Sequence, residues 1–212
     1  MMTDSKKTIL YVDGENFLFK VADILKANGS IRHKPEITKF YFSRLLKSAL
    51  SEHNVNEVRF YAAKLHQHNN TRALLEQSKK VIESQRRLKR SLMNDGVNFI
   101  ISGHVRLQEM VPAQGKQHAR FIFKEKGTDV RLAIDALADV CDSNVDKILL
   151  LSSDSDMQPM VREVKKRNVE IVYVGFENTP NVGLSHNCDQ TILLRKNEII
   201  DAFEGAQQKL GS

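Results

Sequence analysis

Two aspartates separated by one residue follow a short apolar segment in the second half of the chain. The segment is Ile148–Leu151, and Asp154 and Asp156 come soon after it, within a run of serines. Four consecutive apolar residues between polar neighbours are typical of a strand buried on both faces. Two carboxylates at the end of such a strand repel each other and lose part of their hydration. A divalent cation would relieve that repulsion, so a metal site is the first hypothesis.

Two further aspartates have comparable positions. Asp13 ends the apolar segment Thr8–Val12, and Asp129 lies at the predicted start of a helix. Taken singly, Asp129 and Asp156 could be ordinary N-terminal helix acids, because the helix dipole stabilises a carboxylate there by about 0.3–1 kcal/mol. The carboxyl ends of neighbouring parallel strands, however, open on a single crevice. We therefore expect the four aspartates to share one cleft.

Carboxylate oxygens suit hard divalent cations, and Mg²⁺ binds few carboxylates while it keeps several water molecules. A bound ion makes water acidic enough to act as a nucleophile, and a second ion about 3.5–4 Å away can stabilise a leaving oxygen. We assign Asp13 and Asp154 to the principal ion, while Asp129 and Asp156 would bind a second ion or orient the water. The sequence leaves open whether one metal or two operate.

Strands alternate with helices along the chain, which predicts an α/β fold with a mainly parallel sheet and helices on both faces. The predicted strands are Thr8–Asp13, Val55–Ala63, Val97–Ser102, Ile148–Leu151, Val169–Val174 and a short one around Leu193. The predicted helices are Phe17–Lys26, one that begins at Pro35 or Thr38, Thr71–Met93, Asp129–Val140, Met157–Arg167 and Asn197–Phe203.

A departure from this alternation lies near residues 104–124. Two extended segments, Val105–Val111 and His118–Lys124, flank the sequence Pro112-Ala113-Gln114-Gly115. Turn-forming residues between two such segments are typical of a β-hairpin. We therefore predict a β-hairpin insertion that extends the sheet.

Length and composition limit the class of protein. With 212 residues, 41% hydrophobic and 27% charged, the chain resembles an ordinary soluble globular domain. No apolar run is long enough to cross a membrane, and the polar N-terminus is unlike a signal peptide. The chain has only two cysteines, which favours a reducing compartment and predicts a cytoplasmic location. We expect an N-terminal tail at 1–7, one domain at 8–204 and a disordered C-terminal tail at 205–212.

Positive charge is concentrated in one segment. The formal net charge is +6, and six basic residues lie between positions 79 and 90. A basic surface beside an acidic cleft fits a metal-dependent nuclease, because the cations bind phosphates; the alternative is a solvated helix face. Lys126 and Arg131 flank Asp129, and they either bind phosphates of the scissile strand or are ordinary surface cations.

Three motifs together resemble a known family. They are Tyr-Val-Asp-Gly-Glu-Asn-Phe at 11–17, Lys-Gly-Thr-Asp-Val-Arg-Leu-Ala-Ile-Asp at 126–135 and Leu-Ser-Ser-Asp-Ser-Asp at 151–156. Their order, spacing and strand context resemble the NYN domain, most closely its bacterial LabA-like (DUF88) branch within the PIN-like nuclease superfamily. Each motif alone is a weak signal, but three in order are a strong one. The resemblance extends from about Ile9 to about Leu194.

The resemblance implies a Rossmann-like sheet of PIN type, an acidic cluster that binds Mg²⁺ or Mn²⁺, and hydrolysis of RNA phosphodiester bonds. It also implies that Asn16 is a polar neighbour of the acids, at the substrate. Ser153 stands where the family often has Gly, and Met157 where it often has Phe; both lie beside the acids. The catalytic and metal-binding set that the resemblance carries over is Asp13, Asp129, Asp154 and Asp156.

Other interpretations stay open. One is a non-catalytic RNA-binding or protein-interaction module on a PIN-like fold, although such a module would not need a repulsive acidic cluster. Another is a different phosphoryl-transfer enzyme, but a Toprim-like domain would end its first strand on Glu, and a haloacid-dehalogenase phosphatase needs an Asp-x-Asp pair that Asp13-Gly14-Glu15 does not supply. Zinc-ligand spacing and Walker A and Gly-x-Ser-x-Gly motifs are absent. The expected partner is RNA rather than a membrane, with homodimer formation left open.

Overall fold

The computed structural model describes residues 7–68, 71–110, 120–142 and 144–208. Within these ranges the chain forms seven strands and seven α-helices. The strands are β1 (Thr8–Asp13), β2 (Glu57–Lys64), β3 (Asn98–Met110), β4 (Arg120–Lys126), β5 (Lys147–Leu151), β6 (Glu170–Phe176) and β7 (Gln190–Leu194). The helices are α1 (Gly14–Ala27), α2 (Phe42–Ala49), α3 (Arg72–Asn94), α4 (Thr128–Cys141), α5 (Gln158–Lys166), α6 (Val182–Asn187) and α7 (Lys196–Gln208).

The strands form one sheet with the order β4-β3-β2-β1-β5-β6-β7. Six of them are parallel, and β4 is antiparallel to β3. Without β4, the order of the parallel strands is that of the doubly wound dinucleotide-binding sheet, which switches direction between β1 and β5. The prediction of a Rossmann-like, mainly parallel sheet is therefore confirmed. The switch point lies next to Asp13, at the carboxyl end of β1, and next to the loop that follows β5.

Alternate residues of β1 pack into two different cores. Leu10 and Val12 belong to the core covered by α1, α2, α3 and α7, whereas Ile9 and Tyr11 belong to the core covered by α4, α5 and α6. All four side chains are fully buried. Since successive side chains of a strand point to opposite faces, a central strand covered by helices must be apolar throughout. Helices therefore cover both faces, and α1 and α4 lie on opposite sides of the sheet.

The predicted hairpin near 104–124 is present as the antiparallel pair β3 and β4, which are paired from His104–Lys126 to Met110–Arg120. The predicted turn at Pro112–Gly115 lies outside the described residues. The structure corrects one boundary, because Asn98–Met110 is one continuous strand rather than two segments. Gly103 at its centre has a φ of +68°. A Cβ there would lie 2.3 Å from the carbonyl oxygen of Lys126, so only glycine allows the close approach.

The second helix begins later than predicted. Lys34–Glu36 forms a single 3-10 turn, and α2 begins at Phe42 rather than at Pro35 or Thr38. Helix α6 was not predicted, since its six residues are too few to show a helical period. Within the part of the chain that the structure describes, no helix is both long and apolar enough to span a membrane.

The predicted disordered tail from residue 205 is partly wrong, because α7 continues to Gln208. The last helix was predicted to end at Phe203, but Gly205 is buried inside α7. A Cβ at Gly205 would lie 2.1 Å from the guanidinium carbon of Arg44. Gly205 therefore lies beside the end of the Arg44 side chain, between α7 and α2, and does not end the helix. Residues 209–212 lie outside the described ranges.

Candidate functional site

An open cleft of about 780 Å³ lies at the carboxyl edge of the sheet, beside the switch point between β1 and β5. Side chains of α1 and α4 line it, and these helices lie on opposite faces of the sheet. In open α/β sheets ligands bind at this position. The four acids singled out from the sequence all line this cleft: Asp13, Asp129, Asp154 and Asp156.

Asp13 is the most deeply placed of the four acids. It is the last residue of β1 and caps α1, where its Oδ1 accepts a hydrogen bond from the backbone N–H of Asn16 at 3.2 Å. Its Oδ2 accepts one from the Ser152 hydroxyl at 3.2 Å, and the residue is only 8% exposed. Burial raises the pKa of Asp13 to about 6, nearby Asp154 adds to the rise, and the two hydrogen bonds oppose it. Asp13 is therefore a poorly solvated carboxylate.

Gly14 lets α1 begin directly after Asp13. A Cβ on Gly14 would lie 2.3 Å from the carbonyl oxygen of Tyr61 and 2.4 Å from the ring of Phe60, both on β2. The carbonyl cannot move away, because β2 is paired with β1 at this point through Asp13 and Tyr61. The turn thus needs glycine for space, and this requirement fixes where the Asp13 carboxylate lies.

Replacing Gly14 by Ala is expected to lower the free energy of unfolding by about 1–3 kcal/mol, because an added methyl group overpacks the contact with β2. Any activity of the cleft that depends on Asp13 should fall as well, since Asp13 must shift. Gly29→Ala is the comparison variant: its φ is +78° and no atom lies within 4 Å of the new Cβ, so it strains the backbone without moving the cleft. Urea unfolding checks both variants, and a Gly14→Ala protein as stable as wild type would contradict the expectation.

Ser152 connects Asp13 to Asp154. Its hydroxyl donates to Asp13 and its Oγ accepts the Asp154 amide at 3.1 Å, with Ser152 itself buried. The half-buried Asp154 carboxylate then accepts the amide of Asp156 at 2.9 Å and caps the 3-10 turn Ser155–Met157. Through these two hydrogen bonds, Ser152 links Asp13 at the end of β1 to Asp154 on the loop after β5. The role of Ser152 was not predicted from the sequence. The only sign of it was the position of Ser152 between β5 and the two aspartates.

The loop after β5 is held from two sides. The Oδ1 of Asn16 accepts hydrogen bonds from both the amide and the hydroxyl of Ser153. From the other side, the side-chain amide of Asn181 donates to the Ser153 carbonyl at 2.9 Å. The backbone N–H of Asn181 donates to the hydroxyl of Tyr173. Asn16 thus positions the acidic loop, while its predicted substrate contact stays a prediction. No sequence signal pointed to Asn181.

The remaining two acids lie on the sides of the cleft. Asp129 is half-buried in the first turn of α4, where Thr128 anchors the helix through a hydrogen bond to the Ser102 carbonyl at 3.2 Å. Asp156 is exposed. Among the described residues, none of the four acids forms a salt bridge, and no three His, Cys, Asp or Glu side chains lie close enough to bind one metal ion. The acids therefore share a cleft without forming a single tight cluster.

Comparison with known proteins decides the family. The family model of the NYN domain matches residues 7–195. The chain belongs to the NYN domain family. This domain is part of the PIN-like nuclease superfamily, whose NYN members are generally nucleases. The three sequence motifs that resembled the family lie at the cleft, on β1 and α1, on α4, and on the loop after β5.

One solved structure is similar to this NYN domain over most of its length. It is a protein of unknown function from Vibrio parahaemolyticus, which matches with a TM-score of 0.56 and 19% sequence identity. The match covers 92% of this chain and 96% of the other. At this identity it shows a shared fold and nothing further. No curated protein matched the sequence.

The two predicted phosphate-binding cations of the NYN domain differ in position. Lys126 lines the cleft, but Arg131 is not among the residues that line it. Arg131 instead pairs with Asp135 at 2.7 Å. Residues two apart on a helix point away from each other, so Arg131 cannot share the face of Asp129. The cleft also contains Phe19, which the sequence did not single out and which is 56% exposed.

Proposed function

We propose that this NYN domain is a metal-dependent endoribonuclease that hydrolyses RNA phosphodiester bonds. The supporting observation is the arrangement of Asp13, Ser152 and Asp154 at the switch point of the sheet. Two neighbouring carboxylates, one of them buried, are costly when no cation is near. Within the described part of the chain, neither has a basic side chain as its salt-bridge partner. A divalent cation is the partner that this arrangement suits.

The donor atoms of the cleft fit Mg²⁺ or Mn²⁺. All the candidate ligands are carboxylate oxygens, and Mg²⁺ needs only one or two of them because it keeps several waters. Asp13 and Asp154 would hold the principal ion, and Asp129 and Asp156 would act through a second ion or through water. When bound, the ion supplies an acidified water and neutralises negative charge on the phosphate. PIN-like nucleases usually use divalent metals.

The chain's own residues would orient the reacting groups. The Ser152 hydroxyl and the Asn16 amide fix the Asp13 carboxylate, and the Asn16 side chain fixes the loop that carries Asp154. Lys20 and Lys126 line the same cleft and supply positive charge beside the acids. Cations there can hold the phosphates on either side of the scissile bond. The proposed roles are therefore divided between a fixed acidic centre and basic side chains around it.

Helix α3 has a strong excess of positive charge, which supports a polyanionic partner. This helix carries seven basic and two acidic side chains, against a net charge of +6 for the whole chain. Between α3 and the turn at Lys34–Glu36 lies a groove of about 400 Å³. Lys79, Lys80 and Arg87 line this groove, together with Glu83, which pairs with Arg87. A basic groove on the same molecule as an acidic cleft fits the phosphate backbone of RNA.

The test is cleavage of end-labelled single-stranded RNA by the purified protein. Cuts at internal positions are expected with Mg²⁺ or Mn²⁺, none with EDTA, and recovery when an excess of the metal is restored. The double variant Asp13→Asn, Asp154→Asn is the control for contaminating nucleases and should leave the RNA intact. Cleavage in EDTA, or equal cleavage by the double variant, would sink the proposal.

A non-catalytic RNA-binding module is the second candidate. The observation that favours it is the spacing of the acids, since no three metal-binding side chains converge among the described residues. RNA binding that persists in EDTA, with no cleavage under any metal, would establish it. The same experiment therefore separates the two candidates.

Three further expectations stay predictions. They are the domain boundaries at 8 and 204, a homodimer, and a location in the cytoplasm. The two cysteines, Cys141 and Cys188, are free thiols in the structure. Size-exclusion chromatography with light scattering tests the homodimer directly.

A further inference from the structure

We propose that Phe19 is a platform on which an unpaired RNA base stacks, so that the cleft selects single-stranded RNA. This inference rests on the proposed nuclease function and names the form of its substrate. Its starting point is a side chain that the acid chemistry of the cleft does not explain. Phe19 lines the acidic cleft, yet it leaves 56% of its surface in water.

The exposure of Phe19 follows from its place on α1. Phe17, two residues earlier, is fully buried and packs against Phe40 and Phe42. Because residues two apart point to different sides of a helix, burial of Phe17 directs Phe19 away from the core. A polar residue at this position would avoid exposing apolar surface to water. The position of the ring beside the carboxylates therefore suggests contact with a ligand.

A second exposed apolar side chain lines the other side of the cleft. Val130 is on α4, follows Asp129 directly and is also 56% exposed. Helices α1 and α4 cover opposite faces of the sheet, so apolar surface is present on both sides of the acidic centre. A nucleotide has matching parts, because its base is a flat apolar surface and its phosphate is an anion that binds metal ions. The cleft thus offers separate surfaces for the base and for the phosphate.

This chemistry selects single strands. Bases in a duplex are already stacked and paired, and their faces cannot reach an aromatic side chain. In a single strand every base has an accessible π face, so stacking tolerates many sequences. The expected specificity is for unpaired RNA with little dependence on the base. If this apolar surface binds a protein instead, substitution of Phe19 should not change the affinity for single-stranded RNA relative to duplex RNA.

Binding in Ca²⁺ tests the platform, because Ca²⁺ also takes carboxylate ligands and neutralises the acids beside Phe19, and a gel verifies that the RNA stays intact. The probes are a fluorescent single-stranded RNA and the same strand in a duplex, measured by anisotropy with wild type, Phe19→Ala, Phe19→Leu and Phe19→Trp. Loss of one stacked base weakens binding by about 5- to 150-fold. We expect that loss for Ala and Leu with the single strand, near wild-type affinity for Trp, and unchanged duplex affinity for all variants. Circular dichroism verifies that each variant is folded.

Met93→Ala is the matched control. Met93 is 55% exposed, close to the value for Phe19. It lies at the end of α3, a few residues before β3 begins, and therefore near the amino edge of the sheet, opposite to the cleft. Its single-strand affinity should equal that of wild type. A similar loss in Met93→Ala would show a general effect of exposed apolar surface and would overturn the assignment.

Base stacking also has a spectroscopic signature. The probes are single-stranded RNAs that each carry the fluorescent base 2-aminopurine at a different position. In the RNA whose 2-aminopurine stacks on residue 19, wild type and Phe19→Trp should quench the fluorescence, and Phe19→Leu should not. Equal single-strand binding by wild type and Phe19→Ala, or equal loss for single strand and duplex, would reject the platform even if wild type cleaves RNA. Conversely, a selective loss in Phe19→Ala with no cleavage under any metal would support the platform and reject the nuclease.

Discussion

Replacing Asp154 by Asn is expected to lower the rate of RNA cleavage by at least about 100-fold, the order found when a single electrostatic contact to a transition state is removed. The amide keeps an oxygen that can accept the hydrogen bond from Asp156, and the bond from the Asp154 backbone amide to Ser152 does not involve the side chain. The loop should therefore keep its conformation while the negative charge is lost. The measurement is the single-turnover cleavage rate with saturating protein in Mg²⁺ or Mn²⁺.

Two comparison variants make this result specific to the site. Asp23→Asn removes an exposed carboxylate from the same helix as Phe19 but outside the cleft, and it should cleave at the wild-type rate. Asp156→Asn should have an intermediate effect, about tenfold, because its exposed side chain is better hydrated and less dependent on a cation. If Asp154→Asn cleaves as fast as Asp23→Asn, the carboxylate at 154 has no part in the reaction.

The positions of the acids were predictable from sequence because they depend on topology more than on detail. Apolar segments such as Ile148–Leu151 mark strands that are buried on both faces, and β5 contains that segment in the structure. Alternation with helices then makes the sheet mainly parallel, and a parallel sheet brings the ends of β1 and β5 together. The presence of Asp13 and Asp154 at one edge follows from those two steps.

Features that depend on tertiary packing were not predictable. Gly205 has the usual sequence sign of a helix end, yet α7 continues through it to Gln208 with the Arg44 side chain beside it. Gly103 divides the apolar pattern into two segments, yet β3 passes through it with a positive φ. In both places a group that is distant in sequence lies against the glycine, and a local pattern carries no information about distant groups.

Details of the site were missed for a similar reason. Arg131 is close to Asp129 in sequence, but the helical turn separates their side chains and Arg131 pairs with Asp135. Asn181 is far from the acidic loop in sequence, but it binds the Ser153 carbonyl. Proximity along the chain wrongly suggests that Arg131 lies beside Asp129, and it gives no sign that Asn181 contacts Ser153. The sequence therefore identified the charged groups of the site better than the groups that orient them.

The second large effect concerns stability: Asp13→Asn is expected to make the protein more stable at pH 8 while it removes cleavage. Burial raises the pKa of Asp13 from 3.8 to about 6. A folded carboxyl that holds its proton more tightly than the unfolded one stabilises the fold fully below about pH 3.8, and this contribution is lost as the pH rises through about 6. At pH 8 the folded protein therefore contains a buried anion that costs up to about 3 kcal/mol. An amide avoids this cost.

Asparagine can keep both hydrogen bonds of Asp13, because its oxygen accepts from the Asn16 amide and its nitrogen can donate to Ser152. Urea unfolding in EDTA should show the variant more stable than wild type by about 1–3 kcal/mol at pH 8, with a smaller difference at pH 4.5, where other carboxyls affect both proteins equally. Mg²⁺ should then stabilise wild type but not the variant, because only the carboxylate gains from the cation. A wild type at least as stable as the variant at pH 8 without metal would mean that burial does not destabilise the Asp13 carboxylate, and the physical reason for a cation at this cleft would be lost.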